Sequence, residues 1–190
     1  MNNFESRSDV IDARQSSFKR LNYHLDNMVA CIDRGNLRLK QEDAVLLLCH
    51  PKNNDFKLLA VADGMGGLHY GEKASNLTLR KLITWFEKLP SNYFLSSSEL
   101  SKIIDDELED IDEYIRMNIG DCGTTLSLAI HTFCDTILLN VGDSRIYLTD
   151  SSGVLSQVSN DQSTCWDLYK DGVIKEKKDI MFHKKNNLIF

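Results

Sequence analysis

The segment DAVLLLCHPKNNDFKLLAVAD, residues 43–63, joins two apolar, β-favouring runs through a polar turn. The runs are Asp43–His50 and 56–63, and the residues between them at 51–55 are of the types that favour turns. Because both runs are short and the connection between them is tight, the segment predicts an antiparallel hairpin. This hairpin is the predicted centre of the fold.

Further strands are predicted on both sides of the hairpin. They share a content of apolar, β-branched and aromatic residues, and they are Met28–Asp33, 123–131, Thr136–Val141, 145–149 and the shorter 155–158. Residues 1–27 are polar and without clear periodicity. They predict an N-terminal arm, able to add one edge strand, ahead of a folded domain at 28–190.

Two amphipathic helices are predicted between the strand runs. The first runs from about Tyr70 to Leu89, where Pro90 ends it. The second opens with Ser96 and Glu99 in a capping-box pattern, and its apolar stripe comprises Leu100, Ile103, Ile104, Leu108, Ile111 and Ile115. Its other face is strongly acidic, which is typical of a solvated surface more than of a cation site. Because strands come in runs and the long helices are adjacent, the pattern favours an α+β fold over alternating βαβ units.

The composition argues against several classes of protein. The 190 residues carry a net charge of −6, which is unlike a nucleic-acid binder held by bulk charge. The longest apolar runs are far too short to span a bilayer, and the polar start of the chain lacks the apolar stretch of a signal peptide. Five cysteines without a C-x-x-C pair fit free thiols in a reducing compartment. We therefore expect a cytoplasmic protein without a nucleic-acid or membrane partner.

Several segments carry residue types that suit chemistry, and they follow one another along the chain at 38–43, 63–75, 123–125 and 142–145. In the first, Arg38 precedes the adjacent carboxylates Glu42 and Asp43. In the second, Asp63 opens a glycine-rich run. Each segment alone has a structural explanation, since Asp-Gly is a common hairpin turn, exposed carboxylates are often merely solvated, and Gly-Asp-Ser-Arg fits a turn with a local ion pair.

Taken together and in this order, the segments resemble the PPM family of metal-dependent serine/threonine protein phosphatases, also called protein phosphatase 2C. The family patterns R-x-x-N-E-D, D-G-M-G-G-x-x-x-G-E-x-A-S, G-T-T and G-D-S-R match 38–43 (with Gln41 in place of the asparagine), 63–75, 123–125 and 142–145. Residues 160–163 are similar to the family's D-H-S stretch, and 183–188 to its H-P-x-x-N-x-L stretch. Met65 after the Asp-Gly pair resembles bacterial members. The resemblance covers the chain from about Met28 to its last residue.

The resemblance implies an antiparallel β-sandwich flanked by helices, in α-β-β-α layers, and a site that binds Mn²⁺ or Mg²⁺. Asp63 would bridge two ions, and the carbonyl of Gly64 would ligate one of them. Glu42 and Asp43 would hold the waters of that ion. Asp121 would serve a third ion, as in bacterial members. These are the hard oxygen ligands that such cations prefer.

The resemblance also implies an activity and its partners. Two ions can clamp a phosphate and lower the pKa of a bridging water, which then attacks phosphorus in line. Arg38 would bind the phosphate oxygens through its forked guanidinium. The substrate would be phosphoserine or phosphothreonine on a protein, and a serine/threonine kinase would be the paired enzyme.

One part of the family pattern is not matched. Members continue beyond the H-P-x-x-N-x-L stretch with an S-D-G segment and a D-N pair, and these two aspartates complete one metal site. The resemblance therefore implies a domain that is truncated at its C-terminus and turns over phosphate esters poorly. Two alternatives stay open: a pseudophosphatase that binds a phosphoprotein or another partner through the Arg38 and Asp63 region, and an α+β domain whose carboxylates serve only structure.

Overall fold

The computed structural model describes residues 9–11, 20–65, 70–90 and 96–182. The strands in these residues are β1 Asp9–Ile11, β2 Arg20–Leu25, β3 Met28–Asp33, β4 Asp43–His50, β5 Asn53–Met65, β6 Gly123–Thr124, β7 Leu126–His131, β8 Thr136–Val141, β9 Tyr147–Thr149 and β10 Leu155–Gln157. The helices are α1 Gly71–Lys88, α2 Ser97–Asn118 and α3 Thr164–Lys170, followed by a 3₁₀ helix at Lys177–Phe182.

The centre of the fold is an antiparallel sheet with the strand order β1-β4-β5-β7-β8, in which β6 pairs with the end of β5. Asp43 pairs with Asp63 and Leu48 with Leu58, so the predicted hairpin is confirmed. β5 extends to Met65, beyond the predicted end at Asp63, because β6 pairs with Gly64 and Met65. The Asp-Gly pair therefore lies within a strand.

The two long helices cover one face of this sheet. Alternate residues of the strands, among them Leu46, Leu58 and Leu128, point to this face and are fully buried. They pack with the apolar sides of α1 and α2, which contribute Leu79, Leu82, Phe86, Leu100, Ile104, Ile111 and Ile115. The predicted capping box begins α2, since the Ser96 backbone N–H donates to Glu99 Oε2 (3.0 Å) and the Glu99 N–H donates to Ser96 Oγ (3.3 Å). Burial of each large side chain contributes about 1.5–3 kcal/mol.

The ribbon β2–β3 lies against β4 on the other face of the sheet. Met28 and Ile32 are buried, as is Val45 on the side of β4 that faces away from the helices. The turn of the ribbon is tied to the sheet by Lys57, whose Nζ donates to Asp26 Oδ2 and to Asn27 Oδ1 (2.8 Å). Beyond the ribbon, Val61 of β5 is partly exposed.

These layers confirm the predicted α+β class of antiparallel sheets with helices on an outer face. Within 1–27, the segment predicted as an arm, the described strands are β1, which pairs with β4, and β2, which pairs with β3. Residues 183–188, similar to the H-P-x-x-N-x-L stretch, lie outside the described residues. No helix in the described ranges combines the length and apolarity needed to cross a membrane.

Candidate metal and phosphate site

Asp43 and Asp63 face each other across the β4–β5 hairpin, and their side chains are close enough to interact. The pKa of Asp43 is raised to about 6, first by burial and then by the charge of Asp63. Glu42 acts in the same direction, and Arg38 opposes them. Two carboxylates held this close repel each other once both are ionised. A proton or a divalent cation relieves this repulsion, and the oxygen donors are of the type that Mn²⁺ and Mg²⁺ prefer.

Arg38 lies beside this pair and is bonded to its neighbour in the motif. Its Nη1 donates to Glu42 Oε2 at 3.0 Å. Three quarters of the Arg38 side chain is exposed (75%), so much of the guanidinium fork faces solvent. An arginine in this position can bind an oxyanion in two-pronged fashion.

Gly64 is required by a close approach of two backbones. A Cβ at position 64 would lie 2.1 Å from the carbonyl oxygen of Gly71, and a Cβ at position 71 would lie 2.7 Å from that of Gly64. The Gly64 N–H donates to the Glu42 carbonyl (3.1 Å), which also accepts from Ser75 Oγ (2.7 Å). The glycine and serine of the G-E-x-A-S segment thus fix the start of α1 against the carboxylate pair. Gly66 and Gly67 of the same motif lie outside the described residues.

Thr125 holds the backbone of Asp63 from the other side. Its Oγ1 accepts from the Asp63 N–H (3.0 Å), and its own N–H donates to the Asp63 carbonyl (2.9 Å). The same hydroxyl is 2.7 Å from Ser144 Oγ. Gly142 lies against it, since a Cβ there would be 2.8 Å from Thr125 Cγ2. Sequence reasoning gave no role to Thr125 or Ser144, although both stand in matched motifs, and their motif positions were the signal that could have found them.

The Gly-Asp-Ser-Arg segment at 142–145 is hydrogen-bonded to the later segment that contains Asp161 and Gln162. Arg145 binds the buried carboxylate of Asp161 with two nitrogens, Nε and Nη2. The Gly142 N–H donates to Gln162 Oε1 and the Gln162 N–H donates back to the Gly142 carbonyl, both at 2.9 Å. Burial raises the pKa of Asp143, and the charge of nearby Asp63 adds to the shift. Segment 160–163, similar to the D-H-S stretch, is therefore docked on the motif.

Asp121 lies in an exposed bend between α2 and β6. The charges that act on Asp43 come from Asp63, Glu42 and Arg38, and Asp121 is not among them. In the part of the chain that the structure describes, no three or more His, Cys, Asp or Glu side chains are gathered closely enough to hold a metal ion. The structure thus brings together Arg38, Glu42, Asp43, Asp63 and Gly64, and leaves the predicted third-ion role of Asp121 without a contact to them.

The fold and this arrangement agree with the comparison against protein families. The family model described as protein phosphatase 2C matches residues 34–167. This match covers well over half of the chain, so the chain belongs to the protein phosphatase 2C family.

Individual relatives are bacterial. The chain is 32% identical over 164 residues to the serine/threonine phosphatase Stp of Listeria welshimeri, a match that covers 83% of this chain and 62% of the relative. It is 29% identical over 157 residues to the serine/threonine protein phosphatase PstP of Mycobacterium tuberculosis, covering 83% of this chain and 29% of the relative. The chain therefore spans less than two thirds of the length of these relatives.

Solved structures show the same fold. The crystal structure of the serine/threonine phosphatase Stp1 from Staphylococcus aureus superposes with a TM-score of 0.72 and 26% identity, covering 90% of this chain and 63% of that one. The catalytic domain of PstP in complex with two manganese ions gives a TM-score of 0.58 and 29% identity, covering 78% of this chain and 61% of that one. These structural neighbours support the predicted fold class.

Proposed function

We propose that this chain acts as a metal-dependent serine/threonine protein phosphatase that hydrolyses phosphoserine and phosphothreonine. The observation that carries the proposal is the Asp43–Asp63 pair with Arg38 beside it. The pair supplies negative oxygen ligands, and the exposed guanidinium supplies donors for a phosphate. The relatives named as serine/threonine phosphatases support the same conclusion.

The oxygen donors at this site are of the chemical type that suits a hard divalent cation, with water completing its coordination. Asp63 and the Gly64 carbonyl would bind Mn²⁺ or Mg²⁺ directly, Glu42 and Asp43 would bind through water, and Asp121 would serve a third ion. When bound, such ions acidify a water and neutralise phosphate charge. The two manganese ions in the PstP structure support the choice of metal.

The chain's own residues then orient the reactants. Thr125 and Ser75 fix the backbones of Asp63 and Glu42, so the carboxylates keep their relative positions. Arg38 would exchange its bond to Glu42 for bonds to phosphate oxygens, which aligns the phosphorus with the attacking water. The family's S-D-G and D-N aspartates have no match in this sequence, so we expect turnover by the chain as written to be weak.

The proposal includes finer points of organisation and biology. A polar arm at 1–27 would precede the phosphatase domain at 28–190, the substrate would be a phosphorylated protein, and a serine/threonine kinase would be its paired enzyme. The compartment would be the cytoplasm. The pseudophosphatase alternative is not favoured, because the named relatives are phosphatases.

The test measures Mn²⁺-dependent hydrolysis of p-nitrophenyl phosphate and of a phosphothreonine peptide. We expect slow hydrolysis that requires Mn²⁺ and is lost in Asp63→Asn. Asp106→Asn, on the exposed face of α2, is the matched control and should hydrolyse like the wild type. Hydrolysis that persists in Asp63→Asn would contradict the proposed site. Complete inactivity with retained phosphopeptide binding would favour the binding-module alternative.

A further inference from the structure

The loop that carries Arg38 exposes two leucines beside it. Leu37 is 96% exposed and Leu39 is 90% exposed, and they are the most exposed large apolar side chains among the described residues. A single exposed leucine is ordinary on a protein surface. Here two of them adjoin the arginine that is proposed to bind the substrate phosphate.

The backbone that presents these leucines is held in place. Arg34 Nη1 donates to the Leu39 carbonyl (3.0 Å), and the Gly35 N–H donates to Asp33 Oδ1 (2.8 Å). On the far side of Leu39, Lys40 Nζ contacts Glu72 Oε1 of α1 at 3.4 Å. A partner that contacts the leucines therefore finds an ordered surface, and less conformational entropy is lost on binding than with a flexible loop.

The positions of Leu37 and Leu39 on either side of Arg38 suit contact with the residues that flank the phosphorylated one in a bound peptide. Neighbouring Cα atoms are about 3.8 Å apart, so both leucines start next to the base of the Arg38 side chain. In an extended peptide, residues within two positions of the phosphorylated one lie within about 7 Å of it. Their side chains are thus within reach of Leu37 and Leu39 when the phosphate is at Arg38.

We propose that Leu37 and Leu39 are specificity-determining residues that contact apolar side chains within two positions of the phosphorylated residue of a protein substrate. This inference rests on the proposed phosphatase function and adds a substrate preference to it. Contact between a leucine and an apolar side chain of the substrate removes apolar surface of both from water, which is favourable. Contact with a polar side chain buries less apolar surface and is therefore less favourable.

The test compares two fluorescein-labelled peptides that carry phosphonomethylene-alanine, a phosphonate mimic of phosphoserine that is not hydrolysed. One peptide has leucine on both sides of the mimic and the other has serine. Fluorescence anisotropy in the presence of Mn²⁺ gives both dissociation constants. We expect the wild type to bind the leucine peptide about tenfold more tightly, and the variant Leu37→Ser/Leu39→Ser to bind both peptides with the weaker affinity.

Phe133→Ser is the matched control, because Phe133 is 82% exposed and lies in the β7–β8 turn at the opposite end of the sheet. This variant should keep the tenfold preference. Equal affinity of the wild type for the two peptides, failure to bind the leucine peptide, or a preference that survives in the double leucine variant would overturn the inference. So would a wild-type dimer that the double variant converts to a monomer, because the leucines would then contact a second copy.

Binding of inorganic phosphate, measured by calorimetry with the wild type and Arg38→Ala, tests the proposed function separately. Loss of phosphate binding in Arg38→Ala supports the phosphate site. If that result is obtained and the peptide preference is not, the substrate preference is wrong while the proposed function stands. If phosphate binding does not depend on Arg38, the proposed function itself is contradicted.

Discussion

The two ends of the β4–β5 hairpin are built from different chemistry. At the end that contains the turn, aromatic rings pack together: Phe56 and Phe86 have centroids 4.5 Å apart, and His50 stacks on Phe56 at 5.4 Å. At the other end, Asp43 and Asp63 face each other, and hydrogen bonds from Ser75 and Thr125 hold the backbone beside them.

The two ends of the hairpin therefore contribute differently, one to the stability of the fold and the other to the placement of the candidate ligands. Packed rings stabilise through buried area, and no single atom pair decides the result. The carboxylate end buries charge, which costs stability, and depends on directional bonds of defined length. The aromatic end therefore stabilises the fold through buried area, and the polar end places the candidate ligands.

The largest expected effect tests the aromatic end. Phe86 is fully buried, so Phe86→Ala should lower the free energy of unfolding in urea by about 3–5 kcal/mol. Phe133→Ala, at an exposed position, should change it by no more than about 0.5 kcal/mol. Folded Phe86→Ala should retain wild-type Mn²⁺ affinity by calorimetry. A parallel fall in Mn²⁺ affinity would show that the two ends are not independent.

Gly64→Ala tests the close backbone approach at the polar end. Its new methyl would meet the Gly71 carbonyl at 2.1 Å, a contact with backbone that cannot rotate away. We expect a loss of about 3 kcal/mol, at the upper end for overpacking, and at least tenfold weaker Mn²⁺ binding. Gly123→Ala is the matched control, since a Cβ there meets only the Met65 methyl at 3.8 Å. Equal effects of the two changes would mean that the Gly64–Gly71 contact is unimportant.

Two buried threonines differ in whether their hydroxyl is hydrogen-bonded, so replacing each by valine measures what such a bond contributes to stability. Thr125→Val leaves the Asp63 N–H and the Ser144 hydroxyl without their partner and should lower the free energy of unfolding by about 1–3 kcal/mol. The Thr78 hydroxyl has no hydrogen-bond partner among the described residues, so Thr78→Val should be neutral or stabilising by about 1 kcal/mol. Urea unfolding measures both. The comparison fails if Thr78→Val costs as much as Thr125→Val.

The smallest effect concerns pH. Burial and the charge of Asp63 raise the pKa of Asp43 from 3.8 to about 6. A carboxyl whose pKa is raised in the folded state stabilises that state when protonated, so metal-free stability should fall as the pH rises from about 4 to about 6. We expect Asp43 to account for about 1–2 kcal/mol of this fall, discounted because the group is partly solvated.

Urea unfolding in EDTA across this pH range checks the prediction. Asp43→Asn should flatten the profile, and Asp106→Asn should not. Added Mn²⁺ should raise the melting temperature of the wild type more at pH 7 than at pH 4.5, because only ionised carboxylates bind it. An unchanged profile in Asp43→Asn would show that the repulsion at the carboxylate pair is too weak to matter.

Local signals in the sequence were sufficient for much of the fold. The hairpin followed from two apolar runs around a turn, and the start of α2 from the Ser96 capping box. The extension of β5 to Met65 was not predictable locally, because it depends on pairing with β6 far along the chain. For the same reason the predicted strand at 123–131 is divided at Thr125, where the Asp63 N–H donates to the Thr125 side-chain hydroxyl and not to its carbonyl, as a regular ladder would require.

At the site too, some features follow from local sequence and others depend on contacts between distant segments. The facing of Asp43 and Asp63 follows from hairpin register once the turn is known. The bond from Ser75 to the Glu42 carbonyl and the approach of Gly71 to Gly64 require the helix to be docked on the sheet. Motif positions indicated that these residues matter, but only the docked structure shows what each one contacts.

The attachment of the β2–β3 ribbon through Lys57 has a kinetic consequence. The ribbon contacts the sheet through Met28, Ile32 and the bonds from the buried Lys57 to Asp26 and Asn27, while residues such as Val29 face solvent. A unit with so few buried contacts opens without unfolding of the whole domain. Its amide protons should therefore exchange with deuterium together and earlier than those of β4 and β5, and the exchange should quicken in Asp26→Ala, which leaves an ammonium buried without its carboxylate.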